Sequence, residues 1–487
     1  MDINEIVQQR IAKLGILGAK NVPLYPANVP EHSTIGQVLA NFEEGKNVTL
    51  CGRVMANRGH GKVNFMDLRD ATGKIQLYVK RDVIGEEKAA LQEQLDIADI
   101  ISVSGELFKT HTGEFTLKVL DLSILSKALR PLPEKWHGLK DVEIRYRQRY
   151  LDLLSNDEVK KVFLLRAKII KAIRNFLDDR GFLEVETPMM HDIAGGAAGR
   201  PFKTFHNEYG MDLFLRIAPE LYLKRLLVGG LDRVYEINRS FRNEGVSTRH
   251  NPEFTMLEVY QAYTNCEGMI NLTQDLICYV AKEVLGKDEL VYQGQPLVLK
   301  TPWERKSFAQ LVKDKFGIEP QDTPEQMLKK LQAQGFAKDK DRLSRSQINK
   351  IVEDGLETGL QTNPVFITDY FTSLCPLAKV KKDNPLISER FELYVAGMEI
   401  ANAYSELNDP LEQRRRFEEE IKELNSGEEK NVDNEYLLAL EHGMPPAGGL
   451  GIGIDRLVML LLDQPSIRDV ILFPLLRTVN ESEEEKA

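Results

Sequence analysis

The sequence predicts an α+β protein: a small N-terminal β-barrel followed by a larger domain of sheet and helices. Three observations lead there. Five short strand-like runs, separated by turn signals, fall within the first 126 residues. A helical period from Asp157 to Arg180 runs into a strand ending at Thr187-Pro188. The stretch Phe241 to Tyr263 then reads as two extended runs joined by a polar loop. With 487 residues there is length for two or more domains and an ample core.

In chain order, residues up to about 45 read as a helix and an irregular segment containing Pro23, Pro26 and Pro30. The strand-like runs are Val48 to Met55, Val63 to Leu68, Lys74 to Val79, Ile100 to Phe108 and Phe115 to Leu120. Thr72-Gly73 and Thr112-Gly113 mark turns, and Glu86 to Gln94 is a helical interruption. Five strands with one helix suggest a barrel of the OB type over residues 1–126, a fold that binds single-stranded nucleic acid. Phe65 fits either core packing or stacking on a base, with Arg58, Gln76 and Glu114 as polar contacts. Residues 127–150 read as a linker stiffened by Pro131 and Pro133. Its Arg145, Arg147 and Arg149 fit either RNA backbone contacts or a solvated face.

From Asp157 the apolar residues Val162, Leu165, Ile169, Ile173, Phe176 and Leu177 recur at helical spacing, and Gly181 stops the helix. Gly195 and Gly196 open a loop, GGAAGRPF, able to close over a ligand. In APELYLKRLLVGG, Pro219 starts a helix and Gly229-Gly230 ends it. Glu220, in its first turn, is explained equally well as compensation of the helix dipole. After Leu290 a strand-like run leads into charged helical sequence, read as an insertion near 303–362 within the domain 151–487.

Composition narrows the function classes. The four cysteines, Cys51, Cys266, Cys278 and Cys375, form no CxxC pair, which argues against a disulfide framework or a structural zinc site. MDINEIVQQRIAKLG is charged and amphipathic, and no apolar run reaches bilayer length, so a cytoplasmic protein without membrane contact is expected. A net charge of −10 opposes broad nucleic-acid coating. Yet Arg53 to Arg81 holds seven basic residues against two acidic ones, while acid gathers around Glu418 to Glu435 and from Glu481, an arrangement suited to docking one RNA.

The candidate chemistry centres on FRNEGVSTRHNPEFTMLEVYQAY. Arg242 and Glu244 share one side of an extended chain, as do Phe254, Met256, Glu258 and Tyr260, with Arg249, His250 and Asn251 in the loop between. A buried carboxylate needs a partner, so this face fits a ligand site; an amphipathic surface hairpin with salt bridges fits the spacing equally well. GLGIGIDRL, from Gly449, has the spacing of neither a Walker loop nor a dinucleotide fingerprint. A glycine-rich strand packed on a helix accounts for it as well as close backbone approach to a ligand does.

These phrases together resemble the class II aminoacyl-tRNA synthetases. FRNEGVSTRHNPEFTMLE is similar to their motif 2, and the likeness is strongest to the lysine members of the subgroup that also holds the aspartate and asparagine enzymes. GFLEVETPMM, APELYLKR, EIANAYSELNDP and GLGIGIDRL follow in the family's order, so the resemblance covers nearly the whole chain. It implies an antiparallel catalytic sheet flanked by helices, and a homodimer formed through GFLEVETPMM and the helix before it. The implied reaction activates L-lysine with ATP and transfers it to tRNA(Lys), with Mg²⁺ as cofactor.

By resemblance, Arg242 and Arg456 are catalytic, holding the α-phosphate and substrate carboxylate and the γ-phosphate respectively. Glu244 would meet the adenine amino group, Phe254 would stack on adenine, and Arg249, His250 and Asn251 would bind on the outer-phosphate side, with Gly451 and Gly453 opening room for ATP. Glu392 and Glu399 match the magnesium carboxylates, Glu392 also counting toward ATP binding. Seven residues apart, they need a turn or bulge near Gly397 to share a face. Gly196, Glu220, Arg242, Glu258, Tyr260, Asn402, Tyr404 and Glu406 would bind lysine, Glu220 at the α-ammonium, Glu258 and Glu406 at the ε-ammonium. Aspartate would instead require a cation there. Phe65, Gln76 and Glu114 match anticodon-reading positions. Gly199 stands where relatives often carry alanine, and Ala401 and Ala403 where some carry glycines. Two rival readings remain: a ligase that lysylates an elongation factor, which resembles the catalytic half alone, and a regulatory or RNA-binding relative without catalysis.

Overall fold

The computed structural model describes residues 3–60, 63–133, 139, 141–197, 199–338, 343, 345–357, 361–422 and 432–478. Lys62, residues 134–138 and 140 of the linker, Ala198, residues 423–431 of the acidic run and the tail from Glu481 lie outside them. The chain divides into two compact units, Met1–Lys140 and Asp141–Ala487.

The first unit is a closed barrel of β1 (Asn47–His60), β2 (Val63–Arg69), β3 (Lys74–Lys80), β4 (Ile100–Lys109) and β5 (Phe115–Ser126), joined in the order β1-β2-β3-β5-β4. Helix α1 (Ile3–Ala19), α2 (Ile35–Ala40) and α3 (Arg81–Gln92) accompany it. Alternation builds the core: Ile75, Leu77 and Val79 point inward from β3 with Leu117 and Val119 of β5. β4 presses on β5 at Gly105, where a Cβ would lie 2.0 Å from the Lys118 carbonyl oxygen. β1 and β5 outrun their expected lengths because β1 pairs along its course with both β4 and β2, and β5 follows β4 to Ser126. Lys127 is sealed in this unit between Asp99 at 2.6 Å and Asp96 at 2.8 Å.

The second unit begins with α4 (Val142–Arg147), α5 (Arg149–Ser155) and α6 (Asp157–Asp178), whose Ile169, Ile173, Phe176 and Leu177 enter the main core. The arginines read as either RNA-backbone contacts or a solvated face are engaged in this unit's own fold. Arg149 is fully buried, bonded to Asp152 at 2.8 Å and to the carbonyls of Arg468 and Leu472, and Arg145 also pairs with Asp152. Arg147 binds Glu143.

Next come β6 (Leu183–Glu184), then β7 (Met190–His191), β8 (Lys203–His206) and β9 (Met211–Leu215) as a separate small sheet, and α7 (Glu220–Val228). The hairpin β10 (Arg233–Phe241) and β11 (Glu253–Ala262) precedes α8 (Cys266–Leu285) and the ribbon β12 (Glu289–Tyr292) and β13 (Gln295–Val298). β14 (Glu304–Ser307) leads into α9 (Phe308–Phe316), α10 (Pro324–Ala333) and α11 (Arg345–Glu357), and β15 (Val365–Phe371), β16 (Ile387–Val395) and β17 (Met398–Ser405) follow. α12 (Pro410–Lys422), α13 (Asn434–Glu441), β18 (Ala447–Gly453), α14 (Ile454–Leu461) and α15 (Ile467–Val470) complete the described elements.

Eight strands form the large sheet in the order β14-β15-β16-β17-β18-β11-β10-β6. Six are antiparallel neighbours; the edge pairs β14–β15 and β6–β10 are parallel, so the sheet is mixed rather than purely antiparallel. Leu257, Val259, Ala401, Ala403, Leu450 and Ile452 turn from one face into the core with α8 and α14. That burial commits the alternate residues of the same strands to the opposite face.

Candidate active site

The second face of the sheet carries the site. Register sets a row across it: Glu392 stands opposite Asn402, Asn402 opposite Gly451, Gly451 opposite Glu258, and Glu258 opposite Glu236. A neighbouring row holds Tyr404, Gly449 and Tyr260. The glycines of β18 are what makes this face a pocket. A Cβ on Gly449 would sit 1.9 Å from Glu406 Oε1 and 2.5 Å from the Tyr260 ring.

At the closed end, Glu220, Glu258 and Glu406 are all buried, 6%, 6% and 0% exposed, which is untenable for carboxylates without compensation. Tyr260 donates to Glu258 Oε2 at 3.0 Å, and Tyr404 donates to Glu220 Oε1 at 2.6 Å. The compensating cation is Lys224, fully buried one helical turn beyond Glu220 on α7. Its Nζ donates to Glu220 Oε1 at 2.5 Å and is in ion-pair contact with Glu406 Oε2, with the Tyr404 ring centroid 5.3 Å away. Burial alone would lower the lysine's pKa, but Glu220 and Glu406 outweigh it and raise it, so Lys224 stays charged. Burial and then the charge of Glu220 push Glu258 up to about 8, since a hydroxyl is the partner it has. Burial also pushes Glu406 upward, while direct contact with Lys224 draws it back. Beyond Glu258, Glu236 is held by Arg216 at 2.7 Å.

Toward the loop between β10 and β11, the Arg242 guanidinium lies 5.2 Å from the Phe254 ring centroid. Its buried Nε has no hydrogen-bond partner among the described residues, and burial lowers its pKa against the pull of Glu399, Glu244 and Glu258. Gly199 covers it, a Cβ there meeting Arg242 Cδ at 3.2 Å and Glu244 Oε1 at 3.4 Å. Gly196, at φ +85°, packs similarly on Glu220. Arg456 donates to the Glu399 carbonyl at 2.8 Å and carboxylate at 3.2 Å, and to His250 Nε2 at 3.0 Å. Partial burial and Arg456 keep His250 below the ordinary histidine value, hence neutral, so its Nδ1–H donates to Ser247 Oγ at 2.9 Å. Arg249 donates to the Gly397 carbonyl at 2.7 Å, and Asn251 to that of Glu253 at 2.7 Å.

The register of β16 and β17 shifts between Leu393 and Tyr394, so Tyr394 stands opposite Glu399 and both acids come onto the site face. Glu392 accepts from Tyr370 and Tyr394, each at 2.7 Å, and contacts Arg390. Burial and then Glu399 raise its pKa against Arg390.

Sequence reasoning thus placed the motif residues on one face but missed Lys224, Arg390, Tyr370, Tyr394 and Tyr436, whose ring centroid lies 6.0 Å from Lys224 Nζ. Lys224 had a signal, four residues after Glu220 on one helix; the others are brought in by strand pairing and by α13. In the barrel, Phe65 lies outside the core cluster, its ring 5.5 Å from Tyr78, whose ring is 5.8 Å from Phe108. These three form an aromatic strip that favours stacking over core packing. Gln76 donates to Glu114 at 3.4 Å, and Arg58 pairs with Asp67 at 2.9 Å.

Comparison with known proteins adds the following. Residues 141–477 match the family described as tRNA synthetases class II (D, K and N), and residues 48–125 match an OB-fold nucleic acid binding domain. A lysine–tRNA ligase of Carboxydothermus hydrogenoformans is 52% identical over 482 residues, 98% of this chain and 99% of the relative. Those of Moorella thermoacetica, at 51%, and Pelotomaculum thermopropionicum, at 52%, each align over 484 residues, 98% of this chain and 99% and 96% of the relatives.

Proposed function

We infer how the cavity works from one premise: this chain belongs to the class II tRNA synthetases (D, K and N) and carries an OB-fold nucleic acid binding domain. It is an ATP-dependent ligase that attaches lysine to tRNA. The lysine carboxylate attacks the α-phosphorus of ATP, the bond to the β-phosphate breaks, and pyrophosphate leaves. The 3′-terminal ribose hydroxyl of tRNA(Lys) then attacks the lysyl carbonyl and AMP departs.

Two anions must meet in the first step, so the work is positioning and charge neutralisation, the former able to supply roughly 7–11 kcal/mol. Arg242, whose buried Nε has no hydrogen-bond partner among the described residues, bridges the α-phosphate and the lysine carboxylate. Phe254 stacks on adenine, Glu244 accepts from its amino group, and Arg456 covers the other face and meets the γ-phosphate with Arg249 and His250. Glu392 and Glu399 supply the hard oxygens that suit Mg²⁺, an ion content with one or two protein carboxylates beside phosphates and water. When bound, Mg²⁺ held by Glu392 and Glu399 would supply a cationic charge that offsets that of the phosphates. Arg456, paired here with Glu399, meets phosphate when ATP binds.

The observation that supports lysine is the dry acid at the closed end: Glu258 and Glu406 behind Gly449, with Tyr260 and Tyr404 as walls. A substrate ammonium satisfies them, and Glu220 with Gly196 takes the α-ammonium. Pyrophosphate exchange into ATP, run with each of the twenty amino acids, tests this: lysine alone should drive it, and silence with lysine rejects it. The barrel reads the anticodon through Phe65, Gln76, Glu114 and Arg58. Exposed Leu164, Leu183 and Met190, at 57%, 51% and 54%, lie on the elements expected to pair in a homodimer, which sedimentation would register. Among the described residues no helix is long and apolar enough to cross a membrane, and we place the enzyme in the cytoplasm with its tRNA.

A further inference from the structure

We propose that Lys224 is the resident counter-ion of the lysine pocket, a positioning residue that takes one oxygen of Glu406 and thereby aims the other at the incoming ε-ammonium. The proposal deepens the assignment of this cavity to lysine and rests on it. Three carboxylates, Glu220, Glu258 and Glu406, line a water-excluded space, and Lys224 is in contact with two of them, Glu220 and Glu406. With Lys224 counted and all three carboxyls ionised, as they are once lysine is bound, the pocket carries two negative charges, the complement of a substrate with two ammonium groups. Without it the pocket would carry three, one more than lysine can meet, and one carboxyl would have to take a proton.

The geometry shows how the division is made. Lys224 Nζ contacts Glu406 Oε2 and Glu220 Oε1, the same Glu220 oxygen that accepts from Tyr404. Neither Glu406 oxygen has a hydrogen-bond partner of ordinary geometry among the described residues; Oε2 is met by the Lys224 ion pair, whereas Oε1, fully buried, faces the space that Gly449 keeps open. An unpartnered carboxylate oxygen at 0% exposure is costly unless a ligand completes it. Among the described residues, the titratable groups packed about the ammonium belong to this arrangement. Glu220 comes from α7, Tyr404 and Glu406 from β17 and the residue after it, Glu258 and Tyr260 from β11, and Tyr436 from α13, its ring centroid 6.0 Å away. Because Lys224 touches both Glu220 and Glu406, the readers of the α- and ε-ammonium share one cation and are oriented together.

The test uses the full-length enzyme in pyrophosphate exchange, varying lysine and ATP separately between pH 6 and 8.5. Lys224→Met should raise the KM for lysine at least thirtyfold at pH 7, leave the KM for ATP within twofold, and move the acidic limb of kcat/KM for lysine at least one pH unit higher. Lys224→Gln keeps a hydrogen-bond donor without the charge and should behave like Met, and Lys224→Arg should restore the wild-type pH limb. Thermal melting establishes which variants fold; if Met does not, the Gln and Arg pair decides. A Gln variant with wild-type lysine KM and pH limb, or equal losses for lysine and ATP, overturns the proposal. Wild-type enzyme that fails to exchange with lysine instead overturns the underlying assignment.

Discussion

Glu258 makes the pocket a proton-coupled binder. Burial and the charge of Glu220 raise its carboxyl from 4.5 to about 8, so at pH 7 the empty pocket holds it mostly protonated. A lysine ammonium arriving beside it favours the ionised form, and the proton must leave. With this carboxyl at about 8, roughly 0.9 proton should be released per lysine bound at pH 7. The lysine Kd should then fall about tenfold from pH 6 to 7 and about fivefold from 7 to 8. Titration calorimetry in buffers of different ionisation enthalpy reads both quantities. Glu258→Gln should abolish the release, flatten the profile, and thereby assign the proton to this residue rather than Glu406. Stability must move in the opposite sense. A carboxyl raised on folding contributes stability fully below its unfolded value of 4.5 and loses it as pH climbs through about 8, a loss on the order of 5 kcal/mol from this group in lysine-free protein. Saturating lysine should offset that loss. A flat Kd between pH 6 and 8 with no proton release would show that Glu258 is already ionised and the electrostatic argument mistaken.

Other outcomes follow from the same geometry. Arg242→Ala should reduce pyrophosphate exchange by roughly 10³-fold or more, as loss of a guanidinium from a phosphoryl-transfer site does; rates within tenfold of wild type would remove it from the chemistry. Gly449→Ala should raise the KM for lysine far more than that for ATP, because its methyl would lie 1.9 Å from Glu406 Oε1; an unchanged lysine KM would mean that the pocket lies elsewhere. Phe65→Ala should leave exchange intact and weaken tRNA charging about 5- to 150-fold in kcat/KM, the worth of one stacked base at about 1–3 kcal/mol; undiminished charging would return this ring to a packing role.

The sequence by itself determined the faces. A period of two along Phe254, Met256, Glu258 and Tyr260 commits those side chains to one side once Leu257 and Val259 are buried, whatever strands lie alongside. The same local logic set five strands with turns between them and placed Glu220 at the head of a helix. Chain order could not say which residue stands beside which. Strand pairing in the order β16-β17-β18-β11-β10 is non-local, and it alone puts Glu392, Asn402, Gly451 and Glu258 in one row. It also makes Gly449 the opening between Glu406 and Tyr260. The linker arginines make the same point from the other direction: as sequence they offered charge to a partner, but Arg149 is used up by Asp152 and backbone carbonyls within its own unit. A charge is read from the chain, whereas its partner depends on which distant segments the core brings together. The pocket's balance of three carboxylates against one lysine was therefore decided only by tertiary structure.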